Sequence, residues 1–297
     1  MNLAERSRIL ARGRDRVRLL HNLTSNDIKK LAPGQGCYAF LLNSQGRIQA
    51  DLHLFCFADH FLLDTEPDLR EKVPQWIRRY IIADQVELED VTARTTAIGL
   101  EGPAVVNALT SVGAPIPAAN HAHLLWGEYT VAWVSLTGQP GFRFFCAAEQ
   151  RESLIRQLES AGAKSASAED ARIVRIENGE PRYGEDILDT TLPQETQQMN
   201  AINFTKGCYL GQEIVERIRA RGHVNRKLVR LEIDGAEPLA AGTKLASNGS
   251  EAGEITSSVY SQRLGRVAGL GYVRVEHSEP GSRLEADGRA VEVLSLP

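Results

Sequence analysis

Four cysteines in 297 residues, Cys37, Cys56, Cys146 and Cys208, stand too far apart to form a disulfide framework. None forms a C-x-x-C pair or has a histidine at finger spacing, so no metal held by this chain alone is expected. G-x-G-x-x-G and G-x-x-x-x-G-K-[ST] are both missing, which removes support for dinucleotide and nucleoside-triphosphate readings. His121-Ala122-His123 is not H-E-x-x-H, and a surface loop is the expectation there. No apolar run is long enough to cross a bilayer. The opening MNLAERSRILARGRDRVRLL carries six arginines but lacks the apolar centre of a signal peptide. A cytoplasmic protein without membrane contact is expected. No solenoid period and no low-complexity segment is visible.

What is present suits an ordered globular chain of two or three domains: 42% hydrophobic and 24% charged residues, with a net charge of -4. That balance excludes a wholly basic nucleic-acid coat but leaves room for a local basic surface. The spacing of Leu3, Ile9, Leu10, Val17, Leu19 and Leu20 predicts folded structure, a helix running into LTSNDI. CYAFLLN and IQADLHLFCF, joined by NSQGR, predict a strand–turn–strand hairpin. Cys56 and Cys146, in DLHLFCF and GFRFFCA, read as apolar strand fillers. A helix is predicted around Pro74 to Ile81, a second at PAVVNALTSVG, and a third from Glu149 to Ala161 closed by Gly162. Short strands mixed with helices indicate an α+β body over residues 1–225, with a soft segment near 114–123. Over 226–297 short strands alternate with glycine-rich turns, which predicts a small β-barrel.

The most chemically loaded stretch is Lys206-Gly207-Cys208-Tyr209-Leu210-Gly211-Gln212-Glu213, at the glycine-punctuated entry to a predicted helix. Orphan amides and a lysine favour an anion there and would activate a thiol. A tight turn in which Cys208 and Tyr209 simply pack accounts for the same residues. His223 is the nearest histidine, and no residue is recognisably placed to orient it as a triad partner. Between Lys206 and Arg230 there are seven Lys/Arg against Glu213 and Glu216, a stripe that suits polyanions, tRNA included, or a solvated helix face with i,i+4 pairs. Asp51 and Glu195 are candidate pocket carboxylates, able to accept two donors from an aminopyrimidine ring.

The KGCYLGQE stretch resembles the K-G-C-Y-x-G-Q-E signature of the folate-binding YgfZ/IBA57 family, relatives of the glycine cleavage T-protein (aminomethyltransferase). Residues 16–28, 41–52, LTGQPGFRFFC, RIENGEPRYGEDI with LPQE, and 255–273 resemble further family segments. The resemblance implies three subdomains in a ring around a folate-binding channel, with the barrel at the C-terminus. It implies a tetrahydrofolate-binding accessory factor for assembly or repair of iron–sulfur proteins, including radical enzymes that thiomethylate tRNA. Cys208 is then the functional thiol. Asp51 lies beneath the reduced ring, and Glu195 reads the pterin edge. Lys206, Tyr209 and Arg226 complete the cofactor contacts, and Lys206 with the basic stripe either holds the glutamate tail or steers an anionic partner. Partners are iron–sulfur clients or assembly proteins, with a weak tRNA contact open and a monomer expected. The transferase relatives usually end the 41–52 segment in two aspartates and carry T-G-E, where this chain has Ala50-Asp51 and Thr137-Gly138-Gln139. Transfer of an aminomethyl or other one-carbon group to a small amine, and a tRNA-binding module, are the competing functions.

Overall fold

The computed structural model describes residues 1–222 and 224–296. Its elements run in the order β1 (Ser7–Arg12), α1 (Arg16–Leu23), β2 (Gly36–Leu42), β3 (Ile48–Cys56), β4 (His60–Thr65), α2 (Lys72–Arg78), β5 (Glu87–Asp90), β6 (Thr95–Glu101) and α3 (Val105–Ser111). There follow β7 (His123–Trp126), β8 (Tyr129–Ala132), β9 (Gly141–Ala147), α4 (Arg151–Ser160), α5 (Ala168–Glu177) and α6 (Gln212–Arg221). The last part holds β10 (Arg226–Ile233), β11 (Lys244–Ser247), β12 (Ser250–Ser261), β13 (Arg266–Arg274), β14 (Arg283–Ala286) and β15 (Arg289–Leu294).

Three sheets organise these elements into an α+β fold. The first has strand order β2-β3-β4-β1-β5, the second β6-β9-β8-β7, and β10-β13-β12-β11-β14-β15 close into a barrel. Residues 7–12, expected as part of a helix, form strand β1 between β4 and β5. Five of its six residues are buried, so it shows none of the two-residue alternation that marks a half-exposed strand.

Alternation along the other strands assigns the faces. Ile9, Ala11, Ala50, Leu52, Leu54 and Leu63 enter one core with Leu20, Val73 and Ile77 of the helices. Leu10, Phe55 and Leu62, on the opposite face, meet Ala97, Ala132 and Phe145 of the second sheet. The Phe55 and Phe145 rings lie 5.3 Å apart, edge to face, at that seam. The outer face of the second sheet is covered by α3 and α4 through Val105, Leu109, Leu154 and Leu158.

Helix α5 joins the body to the barrel. Its start is fixed by a reciprocal cap between Ser167 and Asp170, and its inner side buries Ile176 with Leu228, Val259 and Leu270 of the barrel. Just beyond it the fully buried Asp186 accepts from Arg175 at 2.7 Å, from the Arg182 amide at 3.1 Å, and from the barrel hydroxyls of Thr256 at 2.6 Å and Ser257 at 2.7 Å. Removing that acceptor leaves a buried guanidinium short of a partner. Asp186→Ala should therefore cost on the order of 3 kcal/mol in denaturant unfolding. A loss under about 1 kcal/mol would show that the carboxylate does not hold the barrel to the body.

Candidate functional site

Where the seam between the two sheets opens, its lining changes from phenylalanines to charge. Antiparallel register puts Tyr38 opposite His53, His53 opposite Asp64, and Asp64 opposite Arg8, so these side chains share the face that carries Phe55 and Leu62. Beyond them lies a cavity of about 780 Å³, in the range that holds a cofactor-sized ligand. Its wall takes Tyr38, Asp51 and His53 from the first sheet, residues 133–137 from beside the second, Arg172 and Arg175 from α5, and Glu180. Among the described residues the barrel contributes none to this wall, and it supports the wall from behind through α5. The cavity is walled by the body.

Asp51 sits in this wall on β3, and the structure leaves it half satisfied. The Tyr38 hydroxyl donates to Asp51 Oδ2 at 3.0 Å, while Oδ1 is buried and takes no hydrogen bond among the described residues. Burial, reinforced by the nearby Glu66 carboxylate, pushes the Asp51 pKa up to about 6, and Arg6 opposes the rise. Arg6 cannot neutralise it further. Its Nε bonds Asp64 at 3.1 Å, and its other arm pairs with Glu66, which also takes Arg182 at 2.8 Å. Arg143 of β9 pairs with Asp64 from the second sheet. Arg6, Arg143 and Arg182 each have another carboxylate to serve.

Beside Tyr38, His53 Nδ1 and His121 Nε2 lie 2.9 Å apart, so one ring donates to the other. Burial lowers both pKa values, that of His121 to about 4, so the pair is neutral at pH 7. His121 and His123 are buried, not on a surface loop as their sequence context suggested. The rings of Phe55 and Phe57 pack on His123, and apolar enclosure is its environment.

The other residues singled out from sequence do not reach this cavity. Glu195 is buried on a turn, where Oε2 accepts the Leu192 amide at 3.0 Å and Oε1 takes Arg226 at 3.3 Å. Arg226 also bonds Glu254 and covers the Tyr272 ring at 4.5 Å, so it fastens the turn to the barrel. Lys206 points inward, with its ammonium on the carbonyls of His21 and Thr24 at the end of α1 and 4.7 Å above the Tyr209 ring. Burial lowers its pKa to about 8. An ammonium spent on two carbonyls is not presented to a glutamate tail. Tyr209 is buried, and burial raises its phenol.

Cys208 is exposed, the other three cysteines being buried or partly so. It lies on a turn that precedes α6, not in the helix's first turn, because the helix is capped by Gly211 and starts at Gln212. Gly211 has φ +82°, and a Cβ there would stand 2.6 Å from the Asn43 carbonyl in the β2–β3 turn. The second glycine of KGCYLGQE is thus required by close packing. The basic stripe is dispersed: Arg217 and Arg219 pair with Glu213 and Glu216, and Arg230 donates to the Glu177 carbonyl. His223 lies outside the described residues.

Sequence reasoning missed Tyr38, Glu180, Arg6 and Arg143. Tyr38 was legible only as a strand aromatic, and the arginines only as charges in apolar runs. Their meeting depends on the pairing of two sheets.

Two packed sheets with a closed barrel behind them make up the α+β architecture in which this cavity sits. The crystal structure of glycine cleavage system aminomethyltransferase T from Bartonella henselae shares the fold, with a TM-score of 0.89 at 22% identity over 100% of this chain and 84% of that one. The GCVT N-terminal domain matches residues 1–206, and the glycine cleavage T-protein C-terminal barrel domain matches 226–295. The aminomethyltransferase of Rubrobacter xylanophilus is 31% identical over 293 residues, spanning 96% of this chain and 78% of that protein. That of Thermus thermophilus is 30% identical over 295 residues, spanning 97% and 82%. The chain belongs to the glycine cleavage T-protein family. No described helix is long and apolar enough to cross a membrane.

The raised Asp51 pKa makes a stability prediction whose sign is fixed. A carboxyl that holds its proton more tightly when folded stabilises the fold fully below its unfolded pKa near 4, and loses that contribution as pH rises through 6. Asp51→Asn has no proton to lose there. Its stability relative to the parent should improve by about 2.5 kcal/mol between pH 4 and pH 8 in urea unfolding. A difference that does not change with pH would mean that Asp51 titrates normally.

Proposed function

We propose that the Asp51 cavity binds a reduced folate and that the protein handles the one-carbon unit the folate carries, in the manner of a folate-dependent aminomethyl or one-carbon transferase acting on a small amine. Family membership supports the reading, and the fit of the residues supports it further. The observation that carries it is Asp51 Oδ1, buried and without a hydrogen-bond partner among the described residues, at the wall of a cavity of about 780 Å³. A bound reduced folate supplies ring nitrogens that hold a one-carbon group. Asp51, with its pKa raised to about 6, can take or give a proton at Oδ1 near neutral pH. Tyr38 fixes the carboxyl by holding Oδ2. The Phe55–Phe145 contact packs the apolar seam between the two sheets.

One specific observation favours a second, narrower reading within the same folate chemistry. Cys208 is displayed to solvent on a turn that Lys206, Tyr209 and Gly211 hold rigidly to α1 and the β2–β3 turn. Such an exposed thiol, outside the cavity wall, suits contact with another protein more than with a ligand in the cavity. That reading places the chain in the YgfZ/IBA57 branch, as a tetrahydrofolate-binding factor for assembly or repair of iron–sulfur proteins, including tRNA-thiomethylating radical enzymes. Cys208 is its working thiol and an iron–sulfur client its partner.

Two substitutions separate the readings. Both predict micromolar or tighter binding of tetrahydrofolate by the parent protein; absence of binding overturns both. The transferase reading predicts folate-dependent turnover of an amine-linked one-carbon donor that falls at least a hundredfold in Asp51→Asn and is unchanged in Cys208→Ser. The narrower reading predicts no such turnover. It predicts instead that Cys208→Ser binds tetrahydrofolate normally but fails to restore iron–sulfur enzyme activity in cells lacking the protein.

A further inference from the structure

The charges on the cavity wall do not balance as their number suggests. Its arginines are all engaged by the protein: Arg6 by Asp64 and Glu66, Arg172 by Glu185, Arg175 by Glu185 and Asp186, and Arg182 by Glu66. Glu66 is consumed by the same pairs. Besides the exposed Glu5, two carboxyl groups of the wall remain with capacity to spare. One is Asp51. The other is Glu180, which follows α5 and whose side chain takes no hydrogen bond and no ion pair among the described residues, although it lines the cavity.

Glu180 is held in place by packing. Gly138 presses on it so closely that a Cβ there would lie 3.0 Å from Glu180 Cγ and 3.3 Å from Oε1. The Thr137–Gly138 loop is itself anchored by Asn178, whose amide donates to the Thr137 carbonyl at 2.7 Å, and by Glu101, which accepts the Leu136 and Thr137 amides at 3.0 Å. Glu180 also faces the Asp51 side of the cavity closely enough for its charge to raise the Tyr38 phenol, after burial and Asp51. Burial and then Glu101 raise Glu180 itself. The Glu180 carboxylate still reaches solvent in the cavity, and a ligand that displaces that water must replace its donors. Two adjacent N–H groups on one planar edge satisfy it best, by paired parallel hydrogen bonds.

We infer that Glu180 is a specificity-determining contact of this cavity, accepting from the ring N–H and exocyclic amino group of an amino-pyrimidinone and so turning the bound ring toward Asp51. The inference rests on the folate reading and gives it an orientation. Glu195, already committed to Leu192 and Arg226, has no part in it.

The test is calorimetric titration of parent and Glu180→Gln proteins with 5-formyltetrahydrofolate and with its analogue bearing a 2-methyl group in place of the 2-amino group. Thermal melting first confirms that the variant is folded. The parent should bind the amino ligand at least tenfold more tightly than the analogue, and Glu180→Gln should lose that tenfold for the amino ligand while binding the analogue as the parent does. Parent-like affinity in the variant, or an equal loss for both ligands, overturns the role of Glu180 and leaves the folate reading standing. A parent protein that binds neither ligand overturns the folate reading and this inference with it.

Discussion

Asp64 lies fully buried at the seam of two sheets, and two arginines reach it, Arg6 from the N-terminal segment and Arg143 from the second sheet. Charges taken this far from water are tolerated only when paired, and the pairing has a consequence for the cavity. Arg6 continues to Glu66, and Glu66 to Arg182, so the positive charge closest to Asp51 is already held in place. Asp51 is left with a tyrosine, a neighbouring anion and an empty acceptor position. A network that looks like structural reinforcement therefore sets the proton affinity of the one carboxyl it does not satisfy.

Two parts of the molecule follow different rules as a result. The cavity is acceptor-rich and walled by the first sheet, by residues 133–137 beside the second, and by α5. The KGCYLGQE turn is fixed by backbone carbonyls and by glycine packing, and displays its thiol to solvent. A transferase needs only the first. A factor that presents a folate-linked site near another protein's chemistry uses both, which is why the exposed thiol bears on the choice between them. The barrel takes part in neither directly, but through Asp186 and α5 it holds the arginine side of the cavity wall in position.

Much of the fold was legible because local pattern and tertiary role agreed. The β2–β3 hairpin shows its alternation and its turn residues, and the barrel shows short strands between glycines. β1 was misread because a strand buried on both faces shows no period. Helix α5 carries a capping signal, Ser167 to Asp170, that was readable but went unused. At the site, Asp51 stood out as a carboxylate in an apolar strand. Glu195 and Lys206 stood out equally, yet Glu195 caps its own turn and pairs with Arg226, while Lys206 anchors on carbonyls at the end of α1 more than 180 residues away, partners that local sequence does not announce. Glu180 lay inside a segment that matched the family, with nothing local to distinguish a free carboxylate from a paired one.

The most direct measurement is a crystal structure of the protein with tetrahydrofolate. The account predicts electron density in the cavity between the sheets, with the reduced ring within hydrogen-bond distance of Asp51 Oδ1 and its amino edge on Glu180. Folate bound elsewhere, beside Cys208 or in the barrel, with the Asp51 cavity filled only by water, would contradict it.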